Sequence, residues 1–189
     1  MIWRDNMYAI VAHFDHETES SIKKVWSDFS THSISKYAEE IPNRRPHITL
    51  ASYKNLNLDE FIPVFDDYYQ TQKRLPLTFN VLGTFIKSSA LFLTPTPTIK
   101  LLNFHTQHHH HFDDYNDNPN SLYLPDRWIP HCTIANRLSN DKVEEAITFC
   151  SKNLSIIHSY IEEIAIITTI MENKQCVSAP TVHAISLIK

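Results

Sequence analysis

The chain has one glycine, Gly83, in 189 residues. At the usual share of roughly 7 %, a chain this long carries about 13. The shortage excludes phosphate cradles built from main-chain N–H groups. The Walker-type loop, the Gly-rich dinucleotide loop and the kinase glycine loop each need several glycines where backbone meets phosphate. Any phosphate chemistry here must be done by side chains. Long apolar runs are also missing, since Met7 to Ala12 is too short for a secretory or membrane segment. Cysteines are few: Cys132, Cys150 and Cys176 are odd in number and not spaced as metal-ligand pairs. They read as free thiols of a cytoplasmic protein. A net charge of −4 with neutral histidines excludes a general binder of nucleic acid or anionic membrane.

The rest of the composition is that of a folded domain, with 42 % hydrophobic and 20 % charged residues. The length suits one domain over residues 1–189, in one or two lobes. Alternating or continuous apolar runs predict strands at Tyr8–Phe14, Ile48–Tyr53, Leu75–Ile86, Ala90–Leu93, Trp128–Ala135, Ile161–Ile170 and Val177–Ile188. Helical spacing predicts helices at Glu19–Phe29, Asn57–Tyr69, from Thr98 onward, and Ser139–Lys152. Asp113–Pro125, rich in Asp, Asn and Pro, reads as a mobile loop. This mixture of hairpins and helices argues an α+β fold with helices against antiparallel sheets.

Two segments repeat one pattern: Pro46-His47-Ile48-Thr49-Leu50-Ala51 and Pro130-His131-Cys132-Thr133-Ile134-Ala135. With 12 His and 15 Thr, chance supplies about one bare His-x-Thr, and His16-Glu17-Thr18 is such a match. The added proline, apolar positions and alanine set the other two apart. On a strand, alternate side chains share a face. His47 and Thr49 therefore point one way, as do His131 and Thr133, while Cys132 points into the core. Two such strands facing each other surround one tetrahedral anion. The hydroxyls bind its oxygens; one imidazole takes a proton from an attacking group and the other gives one to the leaving oxygen.

These motifs resemble those of the two-histidine (2H) phosphoesterase superfamily, which includes the LigT-like 2′-5′ RNA ligases and the RNA 2′,3′-cyclic phosphodiesterases. The resemblance covers most of the chain, from the first strand and helix through Arg45–Leu50 to Trp128–Ile134. It implies a bilobal α+β fold: two antiparallel β-sheets with flanking helices, related by pseudo-two-fold symmetry around a central cleft. It implies His47, Thr49, His131 and Thr133 as the catalytic set. The chemistry implied is hydrolysis or transfer at 2′,3′-cyclic or 2′-5′ phosphodiesters of a nucleotide or RNA end. No metal, cofactor, membrane or obligate protein partner is implied, and the chain is expected to be a monomer. In this reading His131 deprotonates water and His47 protonates the leaving ribose oxygen. The acidic stretch at Asp113–Pro125 departs from a binder of long RNA and favours a small nucleotide.

Strand parity adds Tyr53 on the His47 face, as a stacking platform for a base, and Arg137 on the His131 face, as a phosphate ligand. Trp128 is a further candidate for the cleft wall, and Arg44 and Arg45 raise the potential beside the first motif. His105 and His108–His111 invite a metal site, but four consecutive histidines spread around a helix and cannot all ligate one ion. The tract reads as exposed. Two other readings stay open: a metal-dependent hydrolase centred on His105–His111, and a non-catalytic module that binds nucleotide or RNA in the same cleft.

Overall fold

The computed structural model describes residues 7–172 and 175–189. Its strands are β1 (Met7–Phe14), β2 (His47–Tyr53), β3 (Leu75–Thr84), β4 (Leu91–Pro95), β5 (Cys132–Ala135), β6 (Ile157–Glu172), β7 (Gln175–Ser178) and β8 (Thr181–Ser186). Its helices are α1 (His16–Thr31), α2 (Leu58–Tyr69), α3 (Ile99–His111) and α4 (Asn140–Asn153). Local chemistry sets their starts. The Asp15 carboxylate accepts from Thr18 N–H at 2.9 Å at the head of α1. The Thr98 hydroxyl accepts from Leu101 N–H at 3.2 Å at the head of α3. The stripe Ile22, Val25, Trp26 and Phe29 of α1 is buried as its spacing requires.

The fold is α+β with antiparallel strand pairing throughout the named strands. The two sheets expected are sections of one hydrogen-bonded sheet, ordered β2-β1-β6-β3-β4-β5. The cause is β6, which is 16 residues long. Its beginning pairs with β3, and its later part pairs with β1 on one side and β8 on the other. The strands carrying the two motifs lie at opposite ends of this order, yet β2 and β5 lie against each other. The sheet therefore curls until its edges meet. One face packs on the helices in a large apolar core. The other carries a second, smaller apolar cluster of Val11, Ala165 and Ile167, with Ala9 and Ala179 packed against it.

Three expected elements differ. The last strand breaks at Ala179-Pro180 into β7 and β8. The strand expected from Trp128 begins only at Cys132, because Pro130 has no N–H to give a ladder. The stretch expected to be a mobile loop is tied to the body. Asp117 accepts from Lys54 and Asn55 N–H at 2.9 and 2.6 Å, and Ser121 Oγ lies 3.0 Å from Ser52 Oγ. The acidic Asp117 thus caps a backbone turn rather than facing ligand.

With one glycine, turns that need a left-handed backbone use other residues: Ser33, Asn43, Ser89, Asp126 and Arg137 all have positive φ.

Candidate active site

Both motifs repeat the same local geometry. His47 Nδ1–H donates to the Arg45 carbonyl at 2.8 Å, and His131 Nδ1–H donates to the Ile129 carbonyl at 2.7 Å. Each bond reaches back over the proline of the motif. A carbonyl only accepts, so both rings carry their proton on Nδ1 and leave Nε2 free for chemistry. Both strands also bulge at the residue after threonine. Across β1, Val11 faces Thr49 and Ile10 faces Ala51, so Leu50 is extra. Across β4, Phe92 faces Thr133 and Leu91 faces Ala135, so Ile134 is extra. A bulge puts two successive residues on one side. This explains the alanine of the motif: Leu50-Ala51 and Ile134-Ala135 are consecutive buried pairs, and the second residue of each must be small.

The motif side chains come together. β2 and β5 lie against each other, and His131 is close enough for its charge to lower the His47 pKa. Tyr123 lies near Thr49, and Tyr37 lies near Thr133. Burial, then the neighbouring His13, holds the His47 pKa down to about 4; burial also lowers that of His131. Both rings are therefore neutral near pH 7 in the free protein. Burial pushes the Cys132 thiol up to about 12, which keeps it protonated and unreactive.

A cavity of about 870 Å³ opens on the His131 side. Phe85, Phe92, Tyr123, Asn118, Arg127 and His131 line it. Phe85 and Phe92 pack on the His131 ring, with centroids 4.8 and 5.3 Å away. Gly83 makes that packing possible. A Cβ there would stand 2.6 Å from Phe92 Cε2. Gly83→Ala should lower unfolding free energy by roughly 1–3 kcal/mol through overpacking. Because Phe92 is the ring displaced, the same variant should move the His131 imidazole resonances in an NMR spectrum. Unchanged stability and unchanged His131 signals would contradict this packing.

Two side chains placed in the site by strand parity, Tyr53 and Arg137, lie elsewhere, and the third candidate, Trp128, has a different role. Tyr53 points into the core, because the Leu50 bulge reverses the alternation; its hydroxyl lies 3.1 Å from His108 Nε2. Arg137 lies beyond the end of β5, after the Ile134 bulge and in a left-handed turn (φ 55°), and pairs with Glu40 at 2.6 Å. Trp128 is a support rather than a free wall. Its Nε1–H donates to the Thr49 carbonyl at 2.8 Å and its ring stacks on His105 at 3.8 Å.

The histidine tract is not an exposed stretch. His105 and His108 are buried; His110 and His111 are exposed. His105 Nε2–H donates to the carbonyls of Tyr123 and Leu50 at 2.7 and 3.1 Å, and His109 Nε2–H donates to Leu50 at 3.1 Å. The Leu50 carbonyl belongs to the bulged residue of an edge strand, so α3 and Trp128 satisfy acceptors that no neighbouring strand reaches. His108 is bound on both sides, by the hydroxyls of Tyr53 and Tyr69. Among the described residues no group of three or more His, Cys, Asp or Glu is arranged to hold a metal ion.

Sequence reasoning missed Tyr37 and His13 as site neighbours. Of the two arginines beside the first motif, Arg44 lies over the Tyr37 ring, with Cζ 3.8 Å from its centroid. Arg45 is neutralised by Glu19 and Glu163, each at 2.6 Å. The cross-strand register, which pairs His13 with His47, is the only signal that could have found His13.

No curated protein matches the chain in sequence. Solved structures share its fold. E. coli LigT in apo form superimposes with a TM-score of 0.62 at 11 % identity, covering 98 % of this chain and 99 % of that one. E. coli LigT complexed with 3′-AMP gives 0.59 at 12 % identity, with the same 98 % and 99 % coverage. The TT0787 protein of Thermus thermophilus gives 0.60 at 10 % identity, covering 96 % and 97 %. A family model described as the 2′-5′ RNA ligase superfamily matches residues 15–170, which include both motifs. The chain therefore belongs to the 2′-5′ RNA ligase superfamily.

Proposed function

We propose that the chain is a phosphoesterase that cleaves 2′,3′-cyclic or 2′-5′ phosphodiesters of nucleotides or RNA ends, using its own imidazoles as acid and base. The observation that carries this reading is the matched pair of histidines, each fixed by an Nδ1–H bond to the backbone and each beside a threonine hydroxyl at the seam of β2 and β5. Thr49 and Thr133 hold the non-bridging oxygens as charge develops on them. The nucleotides seen on E. coli LigT, such as 3′-AMP and NADP+, support a nucleotide substrate.

The structure favours one assignment of roles, the reverse of that given by the sequence. The large cavity adjoins His131 and has aromatic walls that suit a nucleoside, so the leaving ribose oxygen lies on that side. His131 then gives the proton to it, and His47, held neutral by burial, takes the proton from water. The anionic substrate raises the affinity of His131 for its proton when it binds.

The test is to offer chelator-treated protein a nucleoside 2′,3′-cyclic phosphate and a 2′-5′-linked dinucleotide side by side. Conversion of either to monoester-terminated product supports the reading; conversion of neither rejects it.

A further inference from the structure

We infer that the small cavity between His13, Arg44 and His47 is the seat of the attacking water, and that His13 is a positioning residue for it; this rests on the phosphoesterase reading. The cavity measures about 50 Å³ and is also lined by Thr181. A water needs roughly 10–15 Å³ and two to four polar partners.

Among the described residues, four buried side-chain nitrogens or oxygens have no protein partner: His13 Nε2, Trp26 Nε1, Arg44 Nε and Thr168 Oγ1. Two of these belong to residues of this one cavity. Their hydrogen-bonding characters are complementary. His13 donates its Nδ1–H to the Pro46 carbonyl at 3.0 Å, so its Nε2 is an acceptor. Arg44 Nε–H is a donor. The Arg44 guanidinium lies over the Tyr37 ring and makes a long, 4.0 Å ion pair with Glu40, and its Nε–H has no partner among the described residues. His47 Nε2, freed by the bond to Arg45, is a second acceptor. The His13 and His47 rings stand edge to face with centroids 6.0 Å apart, a gap that one oxygen bridges.

Such a water is fully specified. One hydrogen goes to His47 Nε2 and the other to His13 Nε2, while one lone pair accepts from Arg44 Nε–H. The remaining lone pair faces the phosphorus. On attack, the P–O bond to water forms and the bond to the ribose oxygen breaks. The water's proton passes to His47, the ribose oxygen takes one from His131, and His13 keeps its hydrogen bond without net transfer. Arg45, the other cation at the cavity, is paired with Glu19 and Glu163 and does not compete for the water.

The test measures turnover of a nucleoside 2′,3′-cyclic phosphate in water and in water–methanol mixtures by wild type, His13→Leu and His13→Gln. Water has two O–H groups to place and methanol has one. H13L should lower kcat for hydrolysis on the order of 10–100-fold with KM within about threefold, as expected of a misplaced nucleophile. Methanolysis should fall much less, so the ratio of methyl diester to monoester product should rise roughly tenfold. H13Q keeps an acceptor oxygen and should recover most of the hydrolysis. An unchanged product ratio in H13L, or equal losses in H13L and H13Q, overturns the water seat and leaves the phosphoesterase reading standing. A wild type with no turnover overturns that reading and the seat with it.

Discussion

Replacing either motif histidine by glutamine is expected to lower kcat/KM for a nucleoside 2′,3′-cyclic phosphate by about 10²–10⁴-fold, the usual worth of a positioned acid or base. Glutamine fills the space and hydrogen bonds, but it cannot carry a proton at the ring's Nε2 position. The two losses should not add. Acid and base act in one transition state, so the double variant should be little worse than the weaker single one. The roles separate by leaving group. If His131 is the acid, an ester whose leaving alcohol needs no proton, such as a nitrophenolate, rescues H131Q but not H47Q. The measurement is steady-state kinetics on both substrates. Equal turnover by wild type and both variants would reject the assignment. Rescue of H47Q instead of H131Q would return the roles to those suggested by the sequence.

Acidification below pH 6.5 is expected to unfold the protein, and the cause is its buried neutral histidines. Burial lowers His13 and His105 from 6.5 to about 4, and holds His108 well below 6.5. His13 and His105 are only 3 % and 2 % exposed. The unfolded chain binds these protons first. Stability is therefore fully present above pH 6.5 and is lost as pH falls toward 4. At 1.36 kcal/mol per unit, His13 and His105 each withdraw about 3 kcal/mol by the time pH has passed below 4. That is comparable with half the stability of an ordinary domain of about 5–15 kcal/mol. Denaturant unfolding across pH 4–7.5 checks this. His105→Gln, which still donates to the Leu50 and Tyr123 carbonyls but cannot titrate, should move the acid transition to lower pH. A flat stability profile, or an unmoved transition in H105Q, would contradict it.

Much of this protein was legible before its coordinates. The caps at Asp15 and Thr98 and the stripe on α1 follow from short-range chemistry and are where the spacing puts them, and both motif histidines sit at or just before the start of their strands with the same Nδ1 bond to the backbone. The misses share a physical origin. Parity was carried past Leu50 and Ile134, and a bulge at each reversed it, which sent Tyr53 into the core and took Arg137 out of register. A bulge is fixed by pairing with a distant strand and leaves little trace in its own segment. The histidine tract was misread for a related reason. The partners of His105, His108 and His109 are carbonyls and hydroxyls up to 59 residues away, and no local pattern announces them. Glycine shortage pointed to side-chain phosphate chemistry, yet the one glycine present also serves the site by making room for Phe92 beside His131.

The central claim is that both strands serve one anion. The most direct measurement is a crystal structure with phosphate or a nucleoside monophosphate bound. The phosphoryl oxygens should lie within hydrogen-bond distance of Thr49 and Thr133, with His47 and His131 Nε2 on opposite sides of the phosphorus. An anion held elsewhere, or one that reaches only one of the two motifs, would contradict the account.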